Sequence, residues 1–101
     1  MIARFWRGVV PTSKADEYYE YLEKTGLREY RSTEGNREVY VFRRIENDHA
    51  EFLLLSLWES YDAIKKFAGP NFEKAVYYPE DKNFLLELEP NVTHYEILAQ
   101  P

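Results

Sequence analysis

The chain predicts an α+β fold, a ferredoxin-like antiparallel sheet with elements in the order β-α-β-β-α-β. Three observations carry this. A β-branched and aromatic run from Ile2 to Val10 stops at Pro11 and gives way to a helical period. Two apolar runs, "VYVFRRI" and "AEFLLLSLW", flank the polar turn "ENDH" and read as a hairpin. A second helix, capped by Ser60, leads towards a last apolar run, "VTHYEIL". At 101 residues, one domain spanning 1–101 is expected.

Each element has its own local reason. Ser13 with Asp16 three residues on reads as a helix cap. Ala15, Tyr18, Tyr19 and Leu22 then set an apolar stripe at i, i+3, i+4 and i+7 on a helix running to Lys24. Gly26 reads as its C′ residue, with Leu27 folding back on the last turn. "REYRSTEGNRE" reads as a loop with room for one short helical turn. The second helix covers Tyr61 to Ala68, and "GP" at Gly69 and Pro70 stops it. A further helical turn is expected from Asn71 to Val76. "YYPEDKNFLLELEP" fits either extended chain or a short helix, and Pro90 closes it before the last strand.

A sheet covered on one face should alternate apolar and polar residues. The third strand does not. Phe52, Leu54 and Trp58 share one parity, and Leu53, Leu55 and Leu57 the other. The first strand repeats this with Ile2 and Trp6 against Phe5 and Val9. Leaving such side chains wet would forgo about 2 kcal/mol each. The sequence holds no third layer to cover them, so a homodimer packed through the open sheet faces is expected.

Composition excludes several function classes. Net charge is −5 with a pI near 5.0, and the seven arginines, all between Arg4 and Arg44, are interleaved with acids. No basic stripe forms, so nucleic acid is not an expected partner. Without cysteine there are no disulfides, thiolate nucleophiles or Cys-type zinc sites. His49 and His94 stand far apart with no metal-ligand spacing around them, so no metal site is expected. No apolar run reaches membrane-spanning length and no leader-like segment opens the chain, so the expectation is a cytoplasmic protein away from membranes. Nucleotide cradles and G-x-S-x-G elbows are absent. Gly8, Gly26, Gly35 and Gly69 read as bulge, cap and turn glycines, and Asp16/Glu17 and Glu80/Asp81 as solvated charges. The 17% aromatic share, by contrast, hints at an apolar cavity.

What remains is polar and aromatic side chains set into strands. Arg4 shares parity with Ile2 and Trp6 and must find a partner there. It is one half of a structural ion pair with a strand glutamate such as Glu96, an edge residue with its head in water, or a donor to an oxyanion or phenolate. His94 is a proton shuttle or a hydrogen-bonded structural histidine. Trp58 is a core aromatic or, at a strand end facing a helix start, a cleft wall. Trp6 would wall the same pocket, and Tyr77 and Tyr78 either line that cavity or pack at a dimer edge.

The stretch "LLLSLWESYDAIKKF" resembles the strand-end tryptophan, acidic residue, serine and short helix of the antibiotic biosynthesis monooxygenase superfamily. The opening "MIARFWRGVVPTSKADEYYEYL" and the tail "AVYYPEDKNFLLELEPNVTHYEIL" are similar to that family's ends, so the resemblance spans the chain. It implies a dimeric α+β barrel and oxygenation without metal or flavin, as in members that oxidise polycyclic phenols to quinones. Trp58 matches the family tryptophan. Arg4 falls where a haem-degrading branch has an asparagine. That branch also carries a histidine on the following helix; none lies between His49 and His94 here, so haem degradation is disfavoured. The expected function is a cofactor-independent monooxygenase acting with O2 on a small aromatic or polyketide-type substrate. Arg4 and His94 would be catalytic, and Trp6, Trp58, Tyr77 and Tyr78 would bind substrate. A non-catalytic dimer holding an apolar ligand and an isomerase or lactone-forming enzyme are the alternatives.

Overall fold

The computed structural model describes residues 1–101. The elements are β1 (Ile2–Pro11), α1 (Ala15–Lys24), α2 (Gly26–Ser32), β2 (Asn36–Glu46), β3 (His49–Trp58), α3 (Tyr61–Ala68), α4 (Asp81–Phe84) and β4 (Thr93–Glu96). The strands form one sheet ordered β2-β3-β1-β4, and every neighbouring pair is antiparallel. This is the α+β, ferredoxin-like arrangement expected. No helix is long and apolar enough to cross a membrane.

The pleat sorts β1 and β3 into two sets. Ile2, Trp6 and Val10 of β1 and Ala50, Phe52, Leu54 and Trp58 of β3 face the helices and form one cluster with them. The helices contribute Tyr18 and Leu22 from α1, Leu27 and Tyr30 from α2, and Ile64 from α3. The other parity looks outward. There Phe5, Leu53, Leu55 and Leu57 are half-buried, while Tyr40, Phe42 and Tyr95 are exposed at 45%, 48% and 59%. Arg7 crosses this face to Glu51 and, at 3.1 Å, to Glu89.

Local codes set some boundaries. Ser60 Oγ accepts from the Ala63 amide at 3.1 Å, and Gly69 at φ 83° ends α3 in a conformation that side chains resist. The hairpin turns on Asn47 at φ 54°, a left-handed position that asparagine tolerates.

Elsewhere tertiary structure overrode the local reading. No side chain caps α1; a 3-10 turn over Thr12–Lys14 leads into it instead. Gly26 does not follow the last helix as a C′ residue but begins α2, after a sharp break at Thr25. The segment read as loop is thus helical to Ser32, because Leu27 and Tyr30 are drawn onto the sheet. Residues Asn71–Val76 form no helix, only one tight turn in which the Lys74 amide donates to the Asn71 carbonyl at 3.0 Å. They run alongside 90–92 through a Lys74–Asn91 bridge and the Ala75–Pro90 and Val92–Glu73 backbone bonds. The ambiguous stretch holds a single turn, α4, and β4 is only four residues long. Nor is Gly8 a bulge, since β1 pairs with β3 continuously through it. A Cβ there would sit 2.4 Å from the Trp6 ring and 2.8 Å from Leu85, so the glycine lets the indole lie along its own strand.

Candidate functional site

The site grows from Arg4. Its place on β1 turns the side chain towards the helices, and it is 1% exposed. No carboxylate meets it. Nη1 donates to the Phe72 carbonyl at 2.6 Å and to His94 Nε2 at 3.0 Å, and Nη2 donates to the Lys74 carbonyl at 3.3 Å. The Phe67 ring lies 5.6 Å away, a cation–π distance. Nε is buried without a partner. Burial lowers the Arg4 pKa, and the Tyr30 hydroxyl partly offsets this. A structural ion pair with Glu96 is not formed; β4 register sets Glu96 opposite Ile2 and His94 opposite Arg4.

His94 is thereby defined. A guanidinium only donates, so Nε2 must accept, and the ring is neutral with its proton on Nδ1. Burial, then the Arg4 charge, lowers the His94 pKa from 6.5 to about 4. The neutral pKa expected of a shuttle is therefore absent. An NMR titration of this imidazole should stay flat through neutrality and turn near pH 4. Because the folded pKa lies below the unfolded one, the His94 contribution to stability is full above 6.5 and is lost as pH falls towards 4. A midpoint near neutrality would mean that the ring is solvated and not held by Arg4.

Trp58 does not form a cleft wall. It is fully buried, its Nε1 donates to Ser56 Oγ at 2.8 Å, and Ser56 Oγ donates on to the Arg4 carbonyl at 3.4 Å. Trp58 therefore touches the site through the β1 backbone and through Tyr30 and Phe67, its aromatic neighbours at 6.1 and 5.8 Å. Trp6 and Tyr78, with Tyr18, Tyr30, Phe67 and Asp81, line a narrow inner cavity of about 20 Å³, space for a single water. Trp6 Nε1 is buried there without a partner. Tyr77 meets the Trp6 ring edge-on at 6.4 Å and bonds to the Glu89 carbonyl. Burial, ahead of Glu29, raises the Tyr78 pKa.

Residues 71–85 roof this cavity, and Asp81 fastens the roof. Its Oδ1 accepts from the Tyr18 hydroxyl at 3.0 Å and its Oδ2 from the Tyr78 amide at 2.6 Å. Far from being solvated, Asp81 is 4% exposed, and burial raises its pKa. Tyr30, Phe67 and Phe72 carry no sign of a site role in the sequence, and Asp81 reads there as a solvated charge. The i, i+3 pair Leu27 and Tyr30, and Ile64 with Phe67, carried the only local signal. On the solvent side, Tyr61, Phe72 and His94 border an open hollow of about 630 Å³. A hollow of about 570 Å³ beside β2, walled by Asp16, Arg31 and Arg43, contains none of the predicted site residues. No group of three or more His, Cys, Asp or Glu side chains is placed to hold a metal ion.

The sheet order and the helix-covered face define a ferredoxin-like α+β fold. A Nitrosomonas europaea protein named an antibiotic biosynthesis monooxygenase superposes with a TM-score of 0.69 at 13% identity, covering 98% of this chain and 100% of that one. A MhuD mutant with two manganese protoporphyrin IX bound per active site gives 0.67 at 12% identity, covering 100% and 98%. A Bacillus cereus protein named an antibiotic biosynthesis monooxygenase gives 0.62 at 17% identity, covering 99% and 95%. The chain shares the fold of these proteins. No protein-family model matches the chain, and no curated protein sequence does.

Proposed function

We propose that the protein is a dimeric, cofactor-independent monooxygenase for a small aromatic or polyketide-type phenol. The observation that carries this is Arg4, a buried guanidinium with no carboxylate and an unpartnered Nε. Such a cation stabilises a phenolate and the negative charge that develops when the phenolate passes an electron to O2. One oxygen atom enters the ring to give the quinone, and the other leaves as water. His94 Nε2 accepts from Arg4 and so holds the guanidinium in position. Trp6 and Tyr78 wall the cavity, Tyr77 backs Trp6, and Trp58 holds the strand end behind Arg4.

A ring cannot enter a cavity sized for one water, so substrate takes its place by displacing the 71–78 segment. That segment's sheet-like pairing is one bridge and its flanking bonds. Oxygen uptake with a panel of hydroxyanthrones should exceed the protein-free rate and persist in EDTA. No uptake with any of them would end this reading. The aromatic lining of Trp6, Tyr18, Tyr30, Phe67 and Tyr78 supports one other reading, a non-catalytic binder of an apolar ligand admitted by the same displacement. Tryptophan quenching by the same panel without oxygen uptake would select it.

The dimer belongs to this proposal. A second copy covers the outward face, where Leu55 pairs across to Phe5 and Tyr40 at the middle of the sheet. Light scattering at micromolar concentration should return twice the chain mass, and Leu55→Asp should return one. A wild-type monomer would refute it.

A further inference from the structure

The hollow bordering β4 lies outside the inner cavity and has its own chemistry. Tyr61, Phe72 and His94 surround it as mutually tilted rings, with centroids 5.3 Å apart for Tyr61–Phe72, 6.0 Å for Tyr61–His94 and 5.3 Å for Phe72–His94. These rings are held in place. Arg4 pins the Phe72 carbonyl and His94 Nε2 from behind, and Tyr61 begins α3 directly after its Ser60 cap.

Polarity points the same way. With Nε2 facing Arg4, the His94 proton lies on Nδ1, on the side of the ring away from the guanidinium, and no protein group accepts it. The Arg4 charge stands behind this donor without a carboxylate of its own. Lys65 Nζ lies 5.6 Å from the Phe72 ring centroid, with Asp62 3.9 Å from it, and Glu73 is the one acid lining the hollow. A bound cation would face Arg4 and Lys65, and a purely apolar ring would leave the Nδ1–H unused.

We propose that this hollow is a binding site for a planar aromatic oxyanion, a carboxylate or phenolate. Its ring packs against Tyr61 and Phe72, and its oxygen accepts from His94 Nδ1. At about 630 Å³ the space suits a ligand of two or three fused rings. The site depends on Arg4 only as the group that fixes the histidine tautomer, and it stands whether or not the inner cavity oxidises anything.

The test is a naphthoate titration of the full chain, followed in proton–nitrogen and aromatic NMR spectra, with naphthalene as the uncharged control. Naphthoate should give saturable shifts at His94, Tyr61 and Phe72, and the ligand-free His94 should carry its proton on Nδ1. Tyr61→Ala, at a residue 37% exposed and so tolerant of change, should weaken naphthoate binding about fivefold. Naphthalene should bind more weakly than naphthoate. Absence of saturable shifts, shifts confined to inner-cavity residues such as Leu54 and Val76, or equal binding in Tyr61→Ala would overturn the proposal. So would equal binding of naphthalene, or a free His94 protonated on Nε2.

Discussion

Arg4→Ala is expected to lower hydroxyanthrone turnover at least about tenfold, the loss typical of one charge-stabilising donor. The same substitution should cost about 2–4 kcal/mol of stability, because it empties a fully buried volume. Those two effects would be hard to separate from alanine alone, and Arg4→Met separates them. Methionine fills much of the space and removes a buried charge that has no counter-ion, so stability should hold or rise. Turnover should still fall. His94 should then titrate higher than about 4, because the Arg4 charge is the second of the two causes lowering it; burial, the larger cause, stays. Full turnover in Arg4→Met would remove Arg4 from the mechanism and leave it as the pin that holds Phe72 and Lys74.

Trp58→Ala should be the most damaging single change to stability, about 3–5 kcal/mol against a total of about 5–15 kcal/mol for a domain. Nothing of the indole is exposed, and it fills the space between β3, Tyr30 and Phe67. Removing it also leaves Ser56 Oγ without its donor on the strand that pairs with Arg4. Trp58→Phe keeps most of the packing and should lose about 1 kcal/mol for the hydrogen bond, together with a smaller packing loss. Urea denaturation of both variants measures the difference. A loss below about 1 kcal/mol in Trp58→Ala would return the residue to the role its position in "LWES" first indicated, a wall open to ligand.

A tryptophan at a strand end beside a helix start reads as the mouth of a cleft, and the local pattern of 26–32 gives little sign of the helix that covers it. Once Leu27 and Tyr30 fold onto the sheet, the mouth is filled and Trp58 becomes interior. Asp81 follows the same rule. Among "PEDK" it has every mark of a solvated acid, and its burial rests on the local Tyr78 amide and on the hydroxyl of Tyr18, 63 residues away. Arg4 was legible as a polar group needing a partner on an apolar face, yet its partners were not. The nearest in sequence lies 68 residues on and is a backbone carbonyl, which no side-chain pattern advertises.

By itself the sequence determined the strands, the parity that leaves leucines on both faces of β3, the extent of α3 between Ser60 and Gly69, and the turn at Asn47. These depend on interactions within a few residues, where pleat, cap and φ preference act directly. Tertiary structure alone decided that α2 exists, that Arg4 meets carbonyls and a neutral histidine instead of Glu96, and that the inner cavity is only about 20 Å³ while the larger hollow opens at His94. A buried polar group takes its partner from whichever chain the fold delivers, and here that chain is the 71–94 segment, whose own sequence encodes little regular structure.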